Sequence, residues 1–172
     1  VKDTEGFIIL YDNKPIDALY HSTCGGKTAN AEETWGNKVA YLKSKPCSYC
    51  KDSKHHSTIQ VFSYQDINKV TGVKITPNSN IKEIKSSSGR TLEINIDNFK
   101  ISSAKLRNIL DLPSSWLKFN VSKDKITIST KGYGHGVGLC QYGANGLANE
   151  GANFEEILKY YYEGIDIHKI NY

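Results

Sequence analysis

The densest run of chemically useful residues is Gly132-Tyr133-Gly134-His135-Gly136-Val137-Gly138-Leu139-Cys140-Gln141-Tyr142-Gly143-Ala144-Asn145-Gly146. Glycines alternate here between the end of an expected strand and the start of an expected helix. Glycine adopts backbone angles closed to other residues and lets a ligand or another segment come close. Amides exposed at the helix start favour a polar or anionic group. Glycines alone would make only a tight turn, but His135, Gln141 and Tyr142 are interleaved with them and supply polar side chains of a binding kind. A dinucleotide fingerprint is excluded, because no βαβ unit surrounds the glycines and no suitably spaced acid follows. A second stretch, Tyr20-His21-Ser22-Thr23-Cys24-Gly25-Gly26-Lys27-Thr28, ends a strand at a glycine pair and sets hydroxyls and an imidazole at a sheet edge. A Ser-His-Asp triad on Ser22 is not supported: no strained elbow holds it and no Asp is singled out to orient His21. Cys47-Ser48-Tyr49-Cys50 is a C-x-x-C pair in a polar stretch, with His55 and His56 close behind.

The elements that must position these residues follow from periodicity and turn chemistry. Gly6 to Tyr11 alternates as a strand, Asp12-Asn13-Lys14-Pro15 turns, and Ile16 to Thr23 returns. A helical turn is expected near Ala29 to Trp35, and residues 43–58 read as a loop without hydrophobic packing of its own. Strands are expected over Ser57 to Phe62, Ile81 to Ser87, Thr91 to Asp97, Trp116 to Val121 and Lys125 to Ser129. Tyr64 to Val70 is a short helix, and Leu106, Ile109 and Leu110 give Ser102 to Leu110 an amphipathic spacing with a serine cap. Two helices close the chain, Gln141 to Asn149 before Gly151 and Phe154 to Tyr162 before Gly164. The class is α+β, with mostly antiparallel hairpin-linked strands and several short helices. The 172 residues suit one domain, and 38% hydrophobic with 23% charged residues is enough for a core. A net charge of +4 is too mild to demand a nucleic acid, and none is expected as a partner. Apolar runs such as Phe7-Ile8-Ile9-Leu10 fall far short of the ~20 residues of a membrane span. The chain starts at Val1 without Met or signal peptide, so any targeting segment is expected outside it.

Together the two glycine-bearing stretches resemble the signature of the stage II sporulation protein D family, bacterial cell-wall enzymes of forespore engulfment. The family's first block, F/Y-H/F-S-T-x-G/N-G-x-T ending in W, is similar to Tyr20 through Trp35. Ala40-Tyr41-Leu42-Lys43-Ser44 resembles its P-Y-L-K-S phrase, Gly132 to Ala148 its final block, and Tyr160-Tyr161-Tyr162 its triple tyrosine. The resemblance implies a lytic transglycosylase, cleaving the link between N-acetylmuramic acid and N-acetylglucosamine and leaving a 1,6-anhydro product. One carboxylic acid suffices for that chemistry, first as proton donor and then as base. The family's acid lies in an S-E-M-P-like phrase that these residues lack, so residues 1–172 resemble the C-terminal portion of the family's catalytic domain. Glu32 and Glu33 read as solvated carboxylates beside the first block. By the same resemblance His21, Ser22, Thr23, Gly25, Gly26, Tyr133, His135, Gln141 and Tyr142 line a glycan groove, with His135 and Tyr142 in support of the acid. Peptidoglycan strands and other engulfment hydrolases are the implied partners. The implied place is outside the cytoplasm, between mother cell and forespore, anchored by an N-terminal segment not in this chain.

Cys24 and Cys140 fall in the two blocks that this resemblance brings together. With Cys47 and Cys50 they form a candidate structural zinc site of four thiolates. Disulfides (Cys24 with Cys140, or a strained Cys47–Cys50 bridge) and free thiols stay open, as do His21, His55 or His56 as replacement ligands. A non-catalytic peptidoglycan-binding or amidase-enhancing module is the alternative function. A zinc hydrolase built on His21, His135 and a thiol ranks third.

Overall fold

A computed structural model describes residues 4–170, and within them eleven strands and five α-helices succeed one another. β1 (Phe7–Tyr11) turns at Asp12 and Asn13, both at positive φ (52° and 57°), into β2 (Lys14–Pro15). Two left-handed residues are what a two-residue hairpin requires. The expected return strand over Ile16 to Thr23 does not continue this ladder. One further bond, Ile16 N–H to the Ile9 carbonyl at 3.1 Å, follows Pro15, and the chain then leaves to form β3 (Tyr20–His21) elsewhere.

α1 (Ala31–Trp35) is a single turn, closed by Gly36 in the left-handed region. A polar loop with a 3-10 turn at Ser48–Cys50 leads to β4 (Thr58–Phe62), and Ser63 caps α2 (Tyr64–Thr71) by accepting from the Asp66 amide. β5 (Ile81–Lys85), β6 (Thr91–Ile96) and β7 (Phe99–Ser102) form an antiparallel sheet in that order. β7 escapes the periodicity because it is four residues long and runs directly into α3 (Ser103–Ile109), whose cap Ser102 is also its last residue. β8 (Leu117–Val121) and β9 (Ile126–Thr130) pair as a hairpin, and β4 adds to the other edge of β9. The two sheets, α2 and α3 enclose one apolar cluster in which Ile67, Ile94, Leu106, Leu117, Ile126 and Ile128 are essentially out of water. Each such side chain contributes about 1.5–3 kcal/mol on burial.

A second cluster is built from the two ends of the chain. β10 (Leu139–Cys140) runs into α4 (Gln141–Asn149), and α5 (Phe154–Tyr161) is capped by the Asn153–Glu156 box. A last strand absent from the sequence expectation, β11 (Asp166–Lys169), pairs with β1 and ties the C-terminus to the start. Leu42, Val137, Tyr161, Tyr162 and the four cysteines fill this cluster. No helix among the described residues is long and apolar enough to cross a membrane.

The glycine-bearing stretches meet backbone to backbone. A Cβ on Gly132 would lie 2.5 Å from the Thr23 carbonyl oxygen, and Gly132 has φ +84°. Gly26 has φ +115° but open space around a Cβ. Gly26→Ala should therefore lose only the ~1–2 kcal/mol of left-handed strain, whereas Gly132→Ala should lose clearly more, because backbone must shift. Urea denaturation of the two variants checks the order, and equal losses would contradict the close approach.

Candidate functional site

β3 and β10 pair in parallel, with Tyr20 opposite Leu139 and His21 opposite Cys140. The pairing continues irregularly. Tyr133 N–H donates to the Thr23 carbonyl at 2.7 Å, Ala29 N–H to Gly136 at 2.7 Å, and Tyr142 N–H to Ser22 at 3.1 Å. The His21 and His135 rings consequently stand 5.7 Å apart between centroids, and Trp35 lies 5.2 Å from His135 on its other side. His55 packs on Tyr133 at 4.5 Å. Tyr20, Trp35, Tyr133 and Tyr142 are exposed around this rim. Trp35 and Tyr20 were not among the expected lining residues, although aromatics at the two ends of the first motif were a usable signal.

The two imidazoles are not equivalent. His21 is buried, and its Nδ1–H donates to the Val137 carbonyl at 3.1 Å, so Nε2 carries the lone pair and has no protein partner. Burial drives its pKa down to about 3 against that backbone bond, which keeps the ring neutral. His135 accepts at Nδ1 from the Val137 N–H at 3.1 Å. Its pKa is lowered chiefly by burial, opposed by a hydrogen bond to the Tyr20 backbone. With Nδ1 engaged by the backbone, the His135 ring packs against those of His21 and Trp35. Of the remaining expected lining residues, Gln141 is exposed and Ser22 and Gly26 half-buried. Thr23 and Gly25 lie underneath, Thr23 bonded to Ser53 through their hydroxyls at 2.6 Å.

Glu33, expected as a solvated carboxylate, is clamped. It accepts from Asn30 N and Nδ2, from Ser87 Oγ at 2.8 Å, and from the Ser88 amide and hydroxyl. Burial raises its pKa, but the serine and asparagine donors outweigh this and hold it at about 2. A carboxyl so held has no proton to donate at neutral pH.

The four thiols come together. The sulfurs of Cys24, Cys47, Cys50 and Cys140 all lie within 4.8 Å of one another and are buried. Cys24 and Cys50 are 3.4 Å apart, none of the four is in a disulfide, and no histidine joins the group. Donors already point at the sulfurs: Cys24 N and Gly143 N at Cys140 Sγ (3.2 and 3.3 Å), Gly26 N at Cys24 Sγ (3.4 Å). The Tyr161 hydroxyl lies 3.2 Å from Cys47 Sγ. Cys50 is pulled down mainly by hydrogen bonding with Cys140 and Cys24, and Cys24 is pushed up mainly by Cys140, so the sulfurs share protons instead of ionising independently. Such a group can bind a metal ion.

An α+β chain with this rim and this sulfur cluster is related to bacterial sporulation and cell-wall proteins. It is a homologue of stage II sporulation protein D, 36% identical over 97% of its length to that protein from Bacillus amyloliquefaciens and from Bacillus subtilis (strain 168). It covers 49% of each, so the chain spans about half the length of these curated relatives. It is also 26% identical, over 95% of its length, to the amidase enhancer of Bacillus subtilis, covering 31% of that protein. No family profile matches the chain.

The Glu33 clamp has a pH signature. Its pKa is depressed from 4.5 to about 2 in the fold, so its stabilisation is complete above pH 4.5 and is lost as pH falls toward 2. Glu33→Gln should be less stable than the parent at pH 7, with the gap in urea midpoint closing between those pH values. A gap independent of pH would contradict the clamp.

Proposed function

We propose that the chain forms the glycan groove of a peptidoglycan lytic transglycosylase that acts in spore engulfment, cutting between N-acetylmuramic acid and N-acetylglucosamine. The observation that carries this reading is the convergence of the two motif stretches at one aromatic rim, His21 against His135. Ring faces of Trp35, Tyr133, Tyr142 and His135 suit the apolar faces of pyranoses, and the Gln141 amide and Ser22 hydroxyl suit sugar hydroxyls. Glu33, held ionised, does not suit the general acid, and the proton donor is assigned to the remainder of the longer protein. Residues 1–172 are then the C-terminal portion of the catalytic domain. The protein would work outside the cytoplasm between mother cell and forespore, anchored by another segment and alongside other wall hydrolases. Digestion of purified glycan strands by the protein extended upstream should release 1,6-anhydro ends, and the 172 residues alone should bind strands without cutting them. Anhydro products from the 172 residues alone would overturn the assignment of the acid. A non-catalytic amidase-enhancing module is the second reading, favoured by the relative of that name. It predicts no cleavage by either form and faster turnover by an added amidase.

The sulfur cluster is proposed to hold structural zinc. Four thiolates around one ion at ~2.3 Å need only small adjustments from this spacing, and they leave no open position for catalysis. The backbone and tyrosine donors are the outer contacts such a site uses. Zinc should be present at one per chain after purification without chelator. Its removal should destabilise the fold by several kcal/mol, less than the ~10 kcal/mol of zinc-finger peptides. Zinc near zero in stable protein would overturn this.

A further inference from the structure

Among the described residues, no carboxylate forms an ion pair with Arg90. It follows the tight turn between β5 and β6, is 2% exposed, and donates through Nη2 to the Cys24 and Lys27 carbonyls, each at 3.2 Å. Nε and Nη1 are buried and meet no protein acceptor. A buried guanidinium with bare donors carries a heavy desolvation penalty, which an anionic oxygen would remove. Trp116 lies 5.5 Å from the guanidinium. On another side the guanidinium packs directly on Gly136, where a Cβ would come within 2.1 Å of Nη2.

Arg90 borders a cavity of about 80 Å³ together with Arg107, His135, Ser103, Ser115 and Glu33. One water needs roughly 10–15 Å³ on this measure, so the space takes a small planar group in place of a few waters. The charged residues lining it are Arg90, Arg107 (whose Nε–H donates to the Leu112 carbonyl at 3.1 Å) and Glu33. The carboxylate, Glu33, is already saturated by Asn30, Ser87 and Ser88. The balance is positive, and the acceptors a ligand must supply are anionic oxygens. His135 belongs both to this cavity and to the rim.

We propose that this cavity is a carboxylate subsite of the groove, in which a carboxylate carried by the glycan ligand seats between Arg90 and Arg107 beside His135. The proposal rests on the glycan reading above and deepens it: the ligand is an acidic saccharide, not a neutral one. Peptidoglycan offers two such carboxylates, the lactyl group of a muramic acid without peptide and the free ends of attached peptides.

Acetate is the first probe, followed through the Arg90 Nε–H signal in NMR spectra of the protein. It should shift that signal, and Arg107→Gln should weaken acetate about tenfold, the loss of one charge-assisted hydrogen bond. Arg107 is the informative variant, because Arg90 also ties the Cys24 and Lys27 carbonyls and its replacement can disturb the fold. An Arg90 signal indifferent to acetate overturns the subsite. Calorimetry then compares a muramic-acid-containing disaccharide bearing a free lactyl carboxylate, its methyl ester, a muramoyl peptide and a chitin oligomer. At least one carboxylate ligand should bind about tenfold more tightly than the ester, and which of the two does so identifies the source. Equal binding of acid, ester and chitin oligomer overturns the subsite and leaves the groove standing. An acetate response with no saccharide binding supports the cavity and overturns the glycan reading.

Discussion

The geometry of this protein depends on four sulfur atoms held within 4.8 Å of one another. They belong to three segments, the stretch after β3, the polar loop before β4 and the start of α4, which are also joined by backbone bonds such as Cys47 N–H to Gly26 and Tyr142 N–H to Ser22. Cys24 and Cys140 are 116 residues apart, a separation over which chain closure is entropically unfavourable. Parallel pairing of β3 with β10 is two residues long and would be weak alone. Tyr161 and Leu42 pack into the same cluster, so the sulfurs are at once a polar knot and part of a hydrophobic core. Gly25 and Gly132, whose backbones touch, mark how closely the two stretches are drawn.

What this knot positions is a rim that is mostly uncharged. Burial lowers the pKa of both histidines, and one ring nitrogen of each bonds the Val137 backbone. Aromatic rings and the Gln141 amide face outward, whereas the unpartnered Nε2 of His21 is buried. Charge is concentrated beneath the rim, where Glu33 and Arg90 treat their surroundings oppositely. Glu33 is surrounded by donors and spans α1 and the β5–β6 turn, while Arg90 retains bare donors next to a cavity. The first is a structural tie and the second a place for a ligand.

Much of this was legible in the sequence, for identifiable reasons. The helix expected behind a serine cap lies where that signal put it, with Ser102 accepting from the Lys105 amide before α3, because capping is local chemistry. The glycine alternation at 132–138 announced left-handed backbone, and all four glycines have positive φ. The C-x-x-C pair and the two cysteines in the motifs pointed to one cluster. Non-local pairings were not legible. β11 on β1 and the parallel β3–β10 bridge join opposite ends of the chain, and nothing in a four- or two-residue run specifies a distant partner. Arg90 falls between two expected strands, and burial of a charge leaves no mark in sequence.

The central claim is that the sulfur cluster, with its proposed metal, is what brings the two motif stretches together. Its most direct test is the cross-relaxation between the His21 and His135 ring protons, 5.7 Å apart between centroids, before and after metal removal. The contact should be present in the metal-loaded protein and disappear on chelation, while the amides of β5 to β9 keep their positions. A His21–His135 contact that survives with the cysteines reduced and metal-free would show that the rim holds together without the cluster.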